Sequence, residues 1–329
     1  MRHVTRRRAG SPGRAAGLAA ATAGPAAPAN PRTLTESAPT QRREGRGASA
    51  GPEGPGSCAA NQMSVYDLTG RKALVTGGAR GLGAGMAEAL ARAGAAVVIG
   101  DVLEELGKAT ADSLRQSGAT AEFVPLDVTD DAGWEQAISQ AIGALDGLDI
   151  LVNNAGVEIT SLIVDLDPDD IRKMLEVNVL GTSLGIKHAF RAMRPGGPAG
   201  RGGAVVNIAS VAATIAFPGI AVYSATKSAV DRLTRVAAME SGKLGYAVRV
   251  NCVYPGLVPT EMGNQLAQDM VTLGLFPSVE ECVGAVIGLT PHGRLGEVAD
   301  MADAVVFLAS DAARFITGAG LPVDGGMGM

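Results

Sequence analysis

The chain has 329 residues, of which 47% are hydrophobic, 19% charged and 3% aromatic. That apolar content can bury a core, which excludes a wholly disordered chain as well as collagen and coiled-coil compositions. The formal charge of −5 conceals an uneven distribution.

Residues 1–62 hold nine Arg, no Lys, three Glu and no Asp, a net +6, so the remainder carries −11. The front segment is almost entirely Ala, Gly, Pro, Ser, Thr and Arg. It has too little apolar surface to offset its chain entropy and reads as a disordered extension. Its Arg-rich, acid-poor composition also suits an organelle transit peptide. Met63 nevertheless opens a plausible start in MSVYDLTGRKALVTGG, and an inert upstream extension fits better. Nothing aromatic is interleaved with the arginines, which argues against a nucleic-acid partner. The longest apolar stretch, residues 211–222, contains Pro218 and falls short of the roughly 20 residues of a membrane span. Three cysteines and three histidines lie scattered without disulfide or metal-ligand spacing. No metal is expected, and a reducing, cytoplasmic compartment follows.

From Leu68 onward, short apolar runs alternate with helical stretches. KALVTG leads through a Gly-rich turn into the Ala-rich helix GAGMAEALARAG, followed by AAVVIGD and a helix over 104–117. AEFVPLD, a helix over 130–145 and LDILVNN come next. Long helices over 168–193 and 222–241 frame GAVVNIAS, and YAVRVNCV and GLPVDGG close the series. Continuous β-branched runs separated by helices mark buried parallel strands. Seven such strands predict an α/β fold, a Rossmann-type doubly wound parallel sheet, in one domain over residues 63–329.

Four features carry chemistry. Gly77, Gly81 and Gly83 occupy the turn after the first strand in a G-x-x-x-G-x-G spacing. Glycine there permits a tight turn and close backbone approach to a pyrophosphate, and the following helix aims free N–H groups at it. Asp101 ends the second strand, where a carboxylate accepts hydrogen bonds from ribose hydroxyls and repels a 2′-phosphate, favouring NAD over NADP. With Glu104 three residues on, Asp101 also fits a helix N-cap, and the two roles can coexist; Arg80 is a counter-signal, because it can pair with a 2′-phosphate. Tyr223 and Lys227 are four apart on a helix and share a face. A nearby cation lowers a phenol's pKa and makes it a general acid and base near neutrality. Ser210, at a strand end, and Asn178, inside a predicted helix where Asn needs a specific partner, complete the set.

TGGARGLG, Asp101, Asp127-Val128, Asn153-Asn154-Ala155-Gly156, Asn178, Ser210, Tyr223/Lys227 and Pro255-Gly256 occur in the order found in the short-chain dehydrogenase/reductase family. The chain resembles that family over essentially all of residues 66–326. The resemblance implies an Asn178–Ser210–Tyr223–Lys227 tetrad. In it Tyr223 moves the proton, Lys227 also holds the nicotinamide ribose, Ser210 positions the substrate oxygen and Asn178 orders a water. It further implies cofactor contacts from Gly77, Arg80, Gly81, Leu82 and Gly83, from Asp101, from Asp127 and Val128 around the adenine, and from Asn154, Ala155 and Gly156, with Asn153 and Gly156 flooring the cleft. Tyr223 and Lys227 would also touch the cofactor. Pro255 and Gly256 lead to Val258 and Thr260, which would hold the carboxamide.

The substrate is less sharply defined. By its place in the family, the segment after Thr260 should cover the substrate, and Met262, Leu266, Met270, Leu273, Leu275 and Phe276 make it apolar, although a helix packing its core face explains half of them equally well. DVLEE and TPHGRLGEVADMADAVVFLASD are similar to the bacterial 3α/20β-hydroxysteroid dehydrogenases within the family. The expectation is an NAD-dependent dehydrogenase of a small lipophilic secondary alcohol or ketone. The alternative is a 3-oxoacyl-carrier-protein reductase, against which Asp101 and the −11 core argue. A cofactor-binding regulator without catalysis is a third reading, which the complete tetrad disfavours. No G-x-S-x-G elbow supports a hydrolase. The resemblance also implies a homotetramer, with the two long helices in a subunit contact.

Overall fold

A computed structural model describes residues 65–329 of the chain. The expectations for residues 1–62 lie outside the described residues.

Strands β1 (Lys72–Thr76), β2 (Ala96–Asp101), β3 (Ala121–Pro125), β4 (Ile150–Asn153), β5 (Gly203–Ile208), β6 (Val248–Pro255) and β7 (Gly320–Val323) form one sheet in the order β3-β2-β1-β4-β5-β6-β7. Every neighbouring pair is parallel. The seven predicted strands all form. Their near-continuous apolar runs reflect burial on both faces, since successive side chains point to opposite sides. Val75, Val97 and Ile99 pack with Met86 and Leu90 of α1 (Gly81–Arg92) and with Val305 and Leu308 of α9 (Val298–Ala309). Leu74, Val98 and Leu151 face the other way, onto Trp134 and Ile138 of α3 (Asp131–Leu145) and Phe190 and Met193 of α5 (Gly181–Met193). Each large side chain removed from water here contributes about 1.5–3 kcal/mol.

The long helix expected over 168–193 forms in three parts. α4 (Pro168–Leu175) passes into a π-helical turn, Glu176–Leu180, and then into α5. Asn178 sits in that wider turn and is buried. Its side chain bonds other elements, which is the specific partner an interior Asn requires. The helix expected over 222–241 is α6 (Ala221–Leu244), ended by Gly245 in the left-handed region at φ 68°. A second correction concerns α2 (Glu104–Gln116): its N-cap is Leu103, without a side-chain cap, so Asp101 does not cap that helix.

The strand order reverses between β1 and β4, whose chains leave for opposite directions along the sheet. A crevice opens at the carboxyl ends of strands at such a switch point. The turns after β1, β4, β5 and β6 meet there.

Candidate active site

The turn after β1 and the turn after β4 are fastened together by side chains. Thr76 Oγ1 accepts from the N–H groups of Asn154 and Ala155, each at 3.0 Å. Asn154 Nδ2 donates to the carbonyls of Thr76 at 2.9 Å and Gly77 at 3.0 Å. Gly77 turns with φ +61°, and a Cβ there would lie 2.9 Å from Ala155 Cα. A Cβ on Gly83 would lie 2.0 Å from the Gly77 carbonyl oxygen. Only hydrogen fits at these two positions, which lets the first turn of α1 sit directly under the loop. α1 has no side-chain cap, so its leading N–H groups are available to an anion.

Asp101 secures the far side of the same loop. Its Oδ2 accepts from Ala79 N–H at 2.9 Å and its Oδ1 from Leu103 N–H at 3.0 Å. A carboxylate has about four acceptor sites, so both oxygens keep capacity for further donors, and the side chain lines the crevice. Arg80 forms an ion pair with Glu261 at the start of α7 (Glu261–Thr272). The guanidinium is therefore engaged within the protein. Asp127 Oδ1 accepts from the N–H and hydroxyl of Thr129 at 2.9 and 2.8 Å, while the Val128 carbonyl accepts from Trp134 Nε1 at 2.9 Å. Both therefore stand in a fixed turn at the crevice edge.

Beyond β5, Ser210 accepts from Ala212 N–H at 3.1 Å and hydrogen-bonds the Tyr223 phenol. Lys227, one turn along α6, donates to the Ile208 carbonyl at 2.8 Å, and its Nζ lies 5.5 Å from the Tyr223 ring centroid. A Cβ added to Gly156 would lie 3.4 Å from that Nζ and 3.3 Å from Asn178 Oδ1, so the turn after β4 presses against these side chains. Helical spacing alone predicts a phenol lowered by its lysine. Burial outweighs that effect in the ligand-free protein: it pushes the Tyr223 phenol up to about 12, with the Ser210 hydrogen bond opposing and the charge of Glu158 adding. Burial likewise brings the Lys227 ammonium down to about 8.

These groups surround one cavity of about 570 Å³. Of the residues expected at the cofactor and the reacting groups, Gly77, Arg80, Gly81, Leu82, Gly83, Asp101, Asp127, Val128, Asn154, Ala155, Gly156, Ser210, Tyr223, Lys227, Pro255, Gly256, Val258 and Thr260 line it, whereas Asn153 and Asn178 do not. Asn178 lies behind the wall, bonded to Val157 and Thr226. Asn153 is also behind it, donating to Asn207 Oδ1 at 2.8 Å. The glycine cradle, the uncapped helix and the Asp101 carboxylate fit a dinucleotide. Among the described residues, no cluster of His, Cys, Asp and Glu is arranged to hold a metal ion, and no helix is long and apolar enough to cross a membrane.

The substrate segment requires a correction. Of its six apolar residues only Met262 and Leu266 line the cavity. Met270 is buried with Ala267 in a small cluster that also holds Cys282 of α8 (Val279–Gly288), and the half-buried Leu275 and Phe276 pack against it. Sequence reasoning missed the roles of four residues: Thr76, which ties the two turns; Ile215 and Phe217 after β5, which wall the cavity; and Glu158, a charged residue in that wall. A threonine ending a strand before a Gly-rich turn, and a lone carboxylate just past a strand's carboxyl end, were the available signals.

A family model described as enoyl-(acyl carrier protein) reductase matches residues 77–328. The chain is 40% identical over 269 residues to trans-4-hydroxycyclohexanecarboxylate dehydrogenase of Sinomonas cyclohexanicum, covering 80% of this chain and 95% of that protein. It is 40% identical over 262 residues to the 3-alpha-(or 20-beta)-hydroxysteroid dehydrogenase of Mycobacterium tuberculosis, covering 79% of this chain and 90% of that one. Among solved structures, a gluconate 5-dehydrogenase from Burkholderia cenocepacia in complex with NADP and tartrate matches with a TM-score of 0.70 at 34% identity, over 80% of this chain and 98% of that chain.

Proposed function

Because the chain belongs to the short-chain dehydrogenase/reductase family, we propose that it is an NAD-dependent dehydrogenase interconverting a lipophilic cyclic secondary alcohol, hydroxysteroid-like, and its ketone. The observation that carries this reading is the Ser210–Tyr223–Lys227 group set in the wall of a cavity whose neighbouring surface is apolar. Relatives named for a hydroxycyclohexanecarboxylate and for hydroxysteroids support a ring-borne secondary alcohol; the carboxylate is specific to the first of them.

In this reading the bound nicotinamide supplies the hydride acceptor or donor, and the chain supplies orientation and proton transfer. In oxidation the Tyr223 phenol first gives up its proton to solvent, and the Lys227 ammonium stabilises the phenolate. The alcohol oxygen, lying against the Ser210 hydroxyl, then gives its proton to that phenolate as the carbinol hydride departs. In reduction the protonated phenol donates to the carbonyl oxygen. Lys227 places a positive charge beside the phenol and stabilises its anion. Gly77, Gly81, Gly83 and the α1 N-terminus would hold the pyrophosphate. Arg80 and Leu82 would flank it, Asp127 and Val128 the adenine, Asn154, Ala155 and Gly156 the nicotinamide-side ribose, and Pro255, Gly256, Val258 and Thr260 the carboxamide. Asn178 is a positioning residue for the turn after β4. The Asp101 carboxylate and the engagement of Arg80 by Glu261 favour NAD over NADP. The same two features weigh against a 3-oxoacyl-carrier-protein reductase working with NADPH.

A homotetramer built through α4, α5 and α6 accords with the exposed apolar side chains Leu180, Val236, Met239 and Leu244; light scattering that finds a monomer would remove that proposal. For the activity, purified protein is assayed with NAD and NADP against steroid, cyclic and aliphatic alcohols, polyols and sugars. Oxidation of cyclic or steroid alcohols with NAD as the better cofactor is expected. Inert steroid and cyclic alcohols beside a reactive polyol, or faster turnover with NADP, would overturn the reading.

A further inference from the structure

Glu158 belongs to the cavity wall, yet the proton and hydride transfers leave it unused. It lies in the segment 157–161 that follows β4. That segment is held at both ends. Val157 is clasped by Asn178, and Ser161 N–H donates to the Gly219 carbonyl at 2.8 Å beside a parallel bridge from Ser161 to Ile220. The carboxyl is thereby fixed in the wall, close enough to Tyr223 for its charge to raise the phenol.

The same cavity is walled by the apolar side chains of Ile215, Phe217, Ile220, Met262, Leu266 and Val286. A carboxylate in such a place is costly unless something uses it. Burial pushes the Glu158 carboxyl up to about 7, with the Thr160 hydrogen bond opposing and the charge of Asp269 adding. Thr160 Oγ1 lies 3.0 Å from both carboxyl oxygens. A hydroxyl has one proton to share between them, so most of the acceptor sites stay open. The other charged groups of the wall have partners of their own: Arg80 with Glu261, Asp101 with two backbone N–H groups, Asp127 with Thr129, Lys227 with the Ile208 carbonyl.

We infer that Glu158 is a specificity-determining residue that accepts a hydrogen bond from a second hydroxyl on the ring of the substrate alcohol and repels ring alcohols that carry a carboxylate. The favoured class is a cyclic diol with an otherwise apolar body. The inference rests on the function proposed above. A site that hydrogen-bonds a substrate hydroxyl discriminates strongly against the analogue lacking it, and an unpartnered like charge adds rejection.

The test compares trans-1,4-cyclohexanediol, cyclohexanol and 4-hydroxycyclohexanecarboxylate at pH 8, above the raised Glu158 value so that the carboxylate is ionised, in wild type, Glu158→Leu and Glu158→Gln. Leucine removes the acceptor, so the ratio of diol to cyclohexanol kcat/KM falls about tenfold, carried by KM. Glutamine keeps an acceptor and loses the charge, so the ratio of carboxylate to cyclohexanol kcat/KM rises about tenfold. Ratios within twofold of wild type in both variants would overturn the inference while leaving the dehydrogenase reading intact. Should wild type oxidise none of the three, the functional reading fails for this class. Calorimetric binding of the same compounds with NAD present then gives the same ratios, and equal affinities across the variants would overturn the inference independently.

Discussion

The side chain of Asn178 clasps the peptide groups of Val157: its Oδ1 accepts from Val157 N–H at 2.8 Å and its Nδ2 donates to the Val157 carbonyl at 2.9 Å. The same Nδ2 lies 3.0 Å from Thr226 Oγ1, on the helix between Tyr223 and Lys227. One amide in a π-helical turn thus ties the exit of β4 to the helix that bears the phenol and the ammonium. Asn178→Leu leaves the Val157 polar groups without these partners, at a cost of about 1–3 kcal/mol. The melting temperature should fall by several degrees, and kcat should fall with it because Lys227 and Gly156 lose their common support. A variant with wild-type melting and turnover would show that the clasp does not position the site.

Tyr223→Phe removes the group proposed to carry the proton. A loss of about 10²–10⁴ in kcat is expected, with a far smaller change in the NAD dissociation constant followed by fluorescence. Spectrophotometric titration supplies the second readout. In ligand-free protein the phenol, raised by burial to about 12, stays protonated through neutral pH, so its ionisation signal appears only under strongly alkaline conditions and is absent from the variant. Unchanged activity in Tyr223→Phe removes the catalytic assignment whatever the fold.

Asp101→Ser tests the cofactor preference. Removing the carboxylate takes away the acceptor for Ala79 N–H and the negative charge facing a 2′-phosphate. KM for NAD should rise, and the ratio of NADP to NAD kcat/KM should rise about tenfold or more. A ratio that does not move places the selectivity elsewhere in the loop.

The link between α3 and α5 sets an acid limit on stability. Lys187 Nζ lies 2.5 and 2.6 Å from the Asp131 carboxyl oxygens and His188 Nε2 lies 2.7 Å from one of them. The Lys187 hydrogen bond first, and that of His188 second, bring the Asp131 carboxyl down to about 2. A depressed carboxyl stabilises the fold above its unfolded pKa, and that contribution is lost as pH falls toward the folded value. Asp131→Asn should therefore melt below wild type at pH 7, and the gap should close as pH falls from about 4 toward 2. A gap that persists at pH 2 would point to packing against Trp134 and His188, whose rings stack at 6.2 Å.

Much of the site was legible before the fold was known because it is written in short segments. Gly77, Gly81 and Gly83 lie in one turn, Tyr223 and Lys227 one helical turn apart, and Ser210 at the end of an apolar run, so local spacing carries their relationship. The π turn at Asn178 was not legible, since the apolar pattern through residues 168–193 reads as one helix. Nor was the division of residues 262–276 between cavity wall and satellite core. Both Leu266 and Met270 are apolar at helical spacing, and only the position of α8 and Cys282 decides that Met270 faces inward.

What the sequence determined by itself is therefore the order of strands and helices, the Gly77, Gly81 and Gly83 turn and the candidate set Ser210, Tyr223 and Lys227, all consequences of local geometry and of apolar runs long enough to require burial. The tertiary structure decided which charges meet. Arg80 is taken up by Glu261, 181 residues away, and Glu158 is held beside Tyr223 by loops that join only when the sheet assembles. It also reversed the expected direction of the phenol, because desolvation depends on every wall of the cavity, and helical spacing specifies only the one that carries the lysine.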